Sequence, residues 1–482
     1  MMTLRRHDER PNVVVILSDD QGPWAMRCAG NGELETPNLD RLAATGMRFD
    51  RFFCTSPVCS PARASLLTGR IPSCHGIHDW LAAGNTIAKY EPARNGEFID
   101  FLAGQPAYTD ALAEAGYACG LSGKWHLGDC HRPRDGFVFW DAHAKGGGPY
   151  YRAPMVRHGE VYEEPNYVTD VITMNALRFL EQRKSHSQPF YLSVHYTSPH
   201  SPWDRENHPK MLFDQYHDGC PFTATPDLMP APDWVKHRSI PVDDAGSRRQ
   251  KLSGYYAAIT AMDTNIGKII DWLEENNMRK NTLVVFTSDN GMCMGHHGLW
   301  GKGNASFPLN MFEESVRVPF LASHPGVIQG GVVNTDLLSQ YDFSSTLLEY
   351  VGISTPSDPR SPGRSFCQLL KGGHRDPHEH LVVFDEYGPV RMVRTIEWKY
   401  VHRYPYGPNE LYHLTNDPAE TENRVNDAAT RPVLKEMRER LYEWFAIYSD
   451  PDRAGATEPV TGRGQTGLCG RRAGGEDVFI PF

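Results

Sequence analysis

The residues Asn12-Val13-Val14-Val15-Ile16-Leu17 form one continuous apolar, β-branched run. That is the pattern of a strand buried on both faces of a parallel sheet. The run stops abruptly at Ser18-Asp19-Asp20. Much later, Thr282-Leu283-Val284-Val285-Phe286-Thr287 repeats the pattern and stops at Ser288-Asp289-Asn290. Two core strands therefore end in carboxylate or amide oxygens, and in open α/β sheets ligands bind beyond the carboxyl ends of the strands.

Helix signals lie between these strands. Thr36-Pro37 caps a helix over Leu39–Ala44 that Gly46 stops, and Tyr108–Ala115 is stopped by Gly116. Val171, Met174, Leu177 and Leu180 give the apolar spacing of a helix over Asp170–Lys184. Further strands are expected at Ala118–Leu121, Phe190–Val194 and Val318–Leu321. The alternation predicts an α/β fold with a large, mostly parallel mixed sheet flanked by helices. Residues Ser198–Ser247 are rich in proline, aspartate and histidine, lack periodicity, and read as a long excursion over the surface, the kind of loop that often forms a functional rim. Beyond Gly372 the texture changes. Leu381–Phe384, Val390–Arg394 and Trp398–His402 read as short antiparallel strands and Arg431–Ile447 as a helix. The expected division is a catalytic domain over 1–371 and a smaller α+β subdomain over 372–482.

Composition narrows the function. The 482 residues are 40% hydrophobic and 22% charged, ample for a large core and unlike a disordered chain. Lys plus Arg total 49 against 59 for Asp plus Glu, a net charge of −10, and no basic run exists to track a phosphate backbone. Nucleic acid is excluded as an expected partner. An anionic small substrate would have to be met by locally placed Lys and Arg. The ten cysteines show no CxxC and no zinc-like spacing, and read as mostly buried thiols. The charged start, Met1–Arg10, and the short apolar run after it predict neither a signal peptide nor a membrane span, so a cytoplasmic protein is expected.

The most specific segment is Cys59-Ser60-Pro61-Ala62-Arg63, followed by Ala64-Ser65-Leu66-Leu67-Thr68-Gly69-Arg70. A cysteine stands just before a proline-started helix, where free N–H groups and positive potential favour an anion or a thiolate; a buried, inert cysteine is the equal alternative. The string Cys-x-Pro-x-Arg followed by Leu-Leu-Thr-Gly-Arg resembles the signature of the type I sulfatases of the alkaline phosphatase superfamily. The likeness continues through Asn12–Gln21, Thr36–Asp40, Gly123-Lys124-Trp125-His126-Leu127-Gly128, Ser288–Gly291, and Glu410-Leu411-Tyr412 with Asp417-Pro418, in the expected order along nearly the whole chain.

The resemblance implies an alkaline phosphatase-like fold and a sulfate ester hydrolase. It implies that a separate maturation enzyme converts Cys59 to formylglycine, whose hydrate is the nucleophile. Asp19, Asp20, Asp289 and Asn290, with residue 59, would ligate a metal; their hard oxygens suit Ca²⁺ or Mg²⁺ and exclude a thiolate-rich zinc site, and a shell of about seven ligands would favour Ca²⁺. By the same resemblance Arg63, Lys124 and Lys302 stabilise the sulfate oxygens, His200 is the general acid, assisted by Lys302, and His126 accepts the proton of the second hydroxyl. The expected substrate is a small anionic sulfate ester, foremost a sulfated sugar or glycosaminoglycan fragment, with aryl sulfates open. Two other readings stand beside it: a phosphonate monoester or phosphodiester hydrolase of the same superfamily, and a non-catalytic carbohydrate-binding descendant. His75 and His78 read as packing residues more than as pocket residues, and His296 and His297 as shaping the turn toward Lys302. Trp80, Trp203 and Trp234 are possible stacking faces, though large aromatics are more often core. The glycine- and arginine-rich tail Thr461–Gly475 reads as a surface for a neighbouring copy, hence a possible homo-oligomer.

Overall fold

The alternation along Asn12–Ser18 (β1) divides the molecule into two layers. Val13, Val15 and Leu17 enter one apolar core and Val14 and Ile16 another, all at most 1% exposed. The computed structural model describes residues 10–86, 98–354, 358–386, 389–455, 464–475 and 477–480; the charged start before Arg10 and the first residues of the tail, 461–463, lie outside them.

In the main sheet β1 is followed in chain order by Met47–Phe49 (β2), Ala118–Lys124 (β3), Phe137–His143 (β4), Ala153–Arg157 (β5), Glu160–Glu164 (β6), Phe190–His195 (β7), Thr282–Ser288 (β8), Phe320–Ser323 (β9) and Val332–Asn334 (β10). Across the sheet the order is β10, β2, β9, β8, β1, β7, β3, β4, β5, β6. Only β9 and β5 run against the rest. Pro37–Ala44 (α1), Val168–Arg183 and Ala245–Glu275 cover the face of Val14 and Ile16, while Cys59–Thr68 (α2) and Tyr108–Glu114 (α3) cover the other. In the same chain order the two long helices are α4 (168–183) and α5 (245–275).

A second sheet of four antiparallel strands, Leu381–Asp385 (β11), Val390–Arg394 (β12), Trp398–Arg403 (β13) and Glu410–His413 (β14), is backed by Arg431–Tyr448 (α6). It shares its apolar core with the α2 face of the large sheet. The Phe384 N–H donates to the Thr55 carbonyl at 3.0 Å. Fully buried Lys399 of β13 reaches Glu420 at 2.6 Å and Glu313 at 3.4 Å. Glu313 lies in the short helix before Arg317–Val318, so the buried lysine links the small sheet to the segment that pairs with Phe52–Phe53; removing one partner of such a pair typically costs about 3–5 kcal/mol.

Several expectations are corrected. The strand expected at Val318–Leu321 is two strands broken at Pro319, because Arg317–Val318 pairs with Phe52–Phe53 and only Phe320 onward joins the main sheet. The excursion over Ser198–Ser247 contains a helix, Lys210–Gly219, that buries Phe213 and Tyr216, and its last residues already belong to α5. The described part of the tail packs on its own chain: Gln465 is fully buried and bridges Leu81, and Cys469 Sγ lies 3.2 Å from the Gly76 carbonyl. Nine of the ten cysteines are buried, and no disulfide joins any of them. Among the described residues no helix is long and apolar enough to cross a membrane.

Candidate active site

The register of the central strands assembles the site. β1 and β8 pair in parallel from Asn12 beside Thr282 to Ser18 beside Ser288, so Asp19 and Asp20 emerge next to Asp289 and Asn290. The Asp20 and Asn290 N–H groups both donate to Asp289 Oδ1, at 3.2 and 2.8 Å. Asp20 sits at φ +64°, in the left-handed region, which turns the chain sharply at the strand end. β7 and β3 follow on the other side of β1. β3 ends in Lys124 and leads to His126, and β7 leads to His200. Gly123 in β3 is obligatory for this approach, since a Cβ there would stand 2.0 Å from the His195 carbonyl.

α2 enters from the opposite side. It begins at Cys59 itself, two residues before Pro61, and every one of its ten residues is buried. Gly69 closes it in the left-handed conformation, φ +68°. A tight antiparallel pair, Cys293–Met294 with Trp300–Gly301, brings Lys302 back over Cys59.

Three carboxylates meet three cations around Cys59. Lys124 Nζ donates to Asp19 Oδ2 at 2.7 Å, Lys302 Nζ to Asp20 Oδ1 at 2.5 Å, and Arg63 Nε to Asp289 Oδ2 at 2.9 Å. Cys59 Sγ lies 2.6 Å from Lys302 Nζ, 3.5 Å from Asp19 Oδ1 and 3.9 Å from Asp20 Oδ1. His200 Nε2 is 3.6 Å from Asp20 Oδ2. Asp19, Asp289 and Cys59 place one ligand atom each within mutual reach of a metal ion, as do Asp20, Cys59 and His200. The Asn290 side-chain oxygen is buried and has no hydrogen-bond partner. An orphaned hard oxygen beside three carboxylates fits a divalent cation that prefers oxygen ligands.

Burial governs the protonation of these groups. It pushes the Asp19 carboxyl up to about 6 against the opposing pull of Lys124. Asp20 is pushed up by burial but further down by Lys302 and His200, and ends below its usual value. Asp289 is likewise driven well below the usual range, Arg63 and Lys124 outweighing its burial. Burial pushes the Cys59 thiol up to about 12, more than Lys124 and Lys302 can offset. The helix N-terminus thus does not yield a thiolate at neutral pH, and the encoded cysteine is a poor nucleophile as it stands.

The two histidines have defined tautomers. His126 Nε2 faces the Leu81 carbonyl at 3.2 Å, which can only accept, so this nitrogen carries the proton and Nδ1 keeps a free lone pair. Burial, then Lys124 and Arg63, hold His126 well below its ordinary pKa, so it is neutral and able to take a proton. His200 Nδ1 faces the Ser201 carbonyl at 2.7 Å, which leaves Nε2 as the atom exchanged with the site.

Asp20, Cys59, His126, His200 and Lys302 line a single cavity of about 480 Å³. Arg63, Lys124, Asp289 and Asn290 are buried beneath them. Trp80, 36% exposed, and buried Trp203 also line the cavity, whereas Trp234 lies under the Arg403 guanidinium. His75 and His78 are packing residues, bound to Ser65 and to the Arg453 carbonyl. His297 pairs with Glu314 at 3.1 Å, within the turn that leads to Lys302. Two features escape a reading of the sequence. Gln340 buttresses the acidic turn, donating to the Ser288 and Asp289 carbonyls at 3.1 and 2.7 Å. Lys145-Gly146-Gly147 forms one cavity wall, its only sequence signal a run of glycines.

Comparison with known proteins places this architecture. The profile of the family described as Sulfatase matches residues 11–353, and that of N-sulphoglucosamine sulphohydrolase, C-terminal, matches residues 295–446. The N-acetylglucosamine-6-O-sulfatase of Bacteroides thetaiotaomicron is 27% identical over 93% of this chain and 88% of that protein. The N-acetylgalactosamine-6-sulfatase of Mus musculus is 32% identical over 76% of this chain and 67% of that protein. A solved structure of a protein in complex with its substrate D-glucosamine-2-N,6-O-disulfate superposes with a TM-score of 0.74 at 26% identity, covering 93% of this chain and all of that one.

Proposed function

Because the chain belongs to the sulfatase family and is a sulfuric ester hydrolase, we propose that it removes sulfate from sulfated sugars, using formylglycine made from Cys59 and a divalent cation, Ca²⁺ by preference. The observation that carries the reading is the seat of Cys59: its Sγ touches Lys302 and two of the three carboxylates at the bottom of a cavity the size of a small sugar. The sugar-acting relatives and the exposed face of Trp80 support the substrate class, since indole faces stack on the apolar faces of sugar rings.

Asp19, Asp20, Asp289 and Asn290 would hold the cation, which when bound supplies Lewis-acid stabilisation and lowers the pKa of a hydroxyl beside it. The chain's own charge prepares for it. Three carboxylates balance three cations, so a divalent ion leaves the site net positive and favourable to an anionic ester, in a protein whose total charge is −10. Residue 59, as a hydrated aldehyde, brings the attacking oxygen; a bond from that oxygen to sulfur forms as the ester S–O bond breaks. Arg63 and Lys124, buried and preoriented, and Lys302 at the cavity surface stabilise the charge on the sulfate oxygens. His200, acting as the imidazolium with Nδ1–H on the Ser201 carbonyl, donates its Nε2 proton to the departing alkoxide and is left neutral. His126 Nδ1, unprotonated and unpartnered, takes the proton whose loss regenerates the aldehyde and frees sulfate.

The test joins mass with turnover. The tryptic peptide Phe52–Arg63, from a host that matures sulfatases, should carry the aldehyde or its hydrate at residue 59. The same protein should hydrolyse a sulfated hexosamine and an aryl sulfate faster than the matched aryl phosphonate ester. An intact thiol, with a control sulfatase converted in the same cells, overturns the formylglycine reading; faster phosphonate cleavage overturns the substrate reading.

The role of His126 makes a separate prediction. A Cβ at Gly146 would lie 2.2 Å from the His126 ring. Gly146→Ala is expected to displace that ring and lower kcat about tenfold or more while KM and the melting temperature change little, because the overpacking strain of roughly 1–3 kcal/mol is absorbed by a loop side chain. Steady-state kinetics with a thermal melt check it.

A further inference from the structure

Every cation at the base of the site has a carboxylate partner: Lys124 has Asp19, Lys302 has Asp20 and Arg63 has Asp289. Lys145 differs. It is half-buried in the wall of the same cavity, and no hydrogen bond or ion pair engages its ammonium among the described residues. Among the described residues lining the cavity Asp20 is the only carboxylate, and Lys302 already neutralises it. Counted over those residues, the upper cavity therefore carries one uncompensated positive charge.

That charge is mounted rigidly. Buried His143 holds its backbone, Nδ1 donating to the Lys145 carbonyl at 2.8 Å. The next two residues lie flat against the two reacting histidines: a Cβ on Gly146 would meet the His126 ring at 2.2 Å and one on Gly147 the His200 ring at 2.7 Å. The backbone that carries Lys145 cannot shift without moving His126 and His200. An ammonium with no partner among the described residues, carried by a half-buried residue in the wall beside the two reacting histidines, is arranged for an anion that arrives with the substrate, since the sulfate to be cleaved already has Arg63, Lys124 and Lys302.

We infer that Lys145 is a specificity-determining residue that reads a second anionic group on the substrate, so that the preferred substrates are sulfate esters of a sugar bearing a further negative charge. The inference rests on the sulfatase reading above. The anion can be a second sulfate or a carboxylate, and Lys145 recognises either by charge.

The experiment compares three substrates: a hexosamine monosulfate, the same hexosamine with a second sulfate, and a monosulfated disaccharide containing a uronate. The wild-type enzyme is expected to prefer one or both doubly charged substrates in kcat/KM by about tenfold, mainly through KM, and the pattern identifies the anion. Lys145→Ala should collapse that preference toward unity and Lys145→Arg should restore most of it. Sulfate release without any preference, or an equal loss on all three substrates in Lys145→Ala, overturns the role of Lys145 and leaves the sulfatase reading standing. No release from any sulfate ester overturns both.

Discussion

Cys59→Ala is expected to fold and still bind metal while its sulfate ester hydrolysis falls by roughly four orders of magnitude or more, the loss that follows when a covalent nucleophile is deleted. The fold survives because Cys59 contributes one small buried side chain, and Lys302 keeps its carboxylate partner Asp20 when the sulfur is gone. Cys59→Ser separates two accounts of the site. A serine offers one hydroxyl where the hydrate offers two, so it can take up sulfate but lacks the second O–H whose deprotonation by His126 expels it. The peptide spanning position 59 in the Cys59→Ser variant should therefore gain the mass of one SO₃ group after incubation with substrate and then turn over no further. Sulfate release at the wild-type rate by either variant would remove residue 59 from the chemistry. Inductively coupled plasma analysis and a thermal melt on the same samples exclude loss of metal or fold.

Asp289→Asn should remove the bound cation and lower kcat by about three orders of magnitude, since both the charge stabilisation and the activated hydroxyl depend on it. The amide keeps the shape of the turn, so the N–H groups of Asp20 and Asn290 retain an oxygen acceptor. Arg63 loses its strongest partner and stays buried, which costs stability as well. Asn290→Ala is the gentler comparison: it deletes the orphaned oxygen together with the Nδ2 bonds to Asp20 Oδ1 and the Gly291 carbonyl, both 2.9 Å, but strands no buried charge, so metal binding should weaken with a smaller effect on the melting temperature. Removing the cation from the unaltered enzyme with a chelator should abolish activity, and Ca²⁺ should restore it better than Mg²⁺. Unchanged metal content in both variants would put the cation elsewhere.

The sequence makes some of this legible and hides the rest for physical reasons. Asp19 and Asp289 can be read because a strand buried on both faces is a continuous apolar run, and the place where the run ends is the ligand-binding edge. Their meeting follows from parallel pairing of β1 with β8, a long-range register that periodicity cannot supply. Lys124 ends β3, His126 follows it and His200 follows β7, but only family resemblance distinguishes them from ordinary surface residues. The longest helix, α5, leaves no signal that the sequence reading detects. From Leu252 to Asp263 every residue is buried, so the segment has no polar face and no 3.6-residue stripe. The wall at Lys145 is hidden because its function lies in contacts that glycine permits and that leave no pattern in the chain.

Cys59 is 3% exposed on a helix buried along its whole length, and several of its covers come from far downstream: Lys302 from the hairpin after β8, and Leu81 beside it held by Gln465 of the tail. An enzyme that oxidises this thiol could not reach it in the finished protein. Synthesis itself then supplies the opportunity. β8 is completed about 230 residues after Cys59, roughly 10–50 s at common elongation rates, and during that interval helix α2 has no finished sheet edge against which to bury. If formylglycine is made from Cys59 as proposed, the fraction of active molecules would be set by a race between oxidation and translation, and slower elongation beyond Cys59 should raise it.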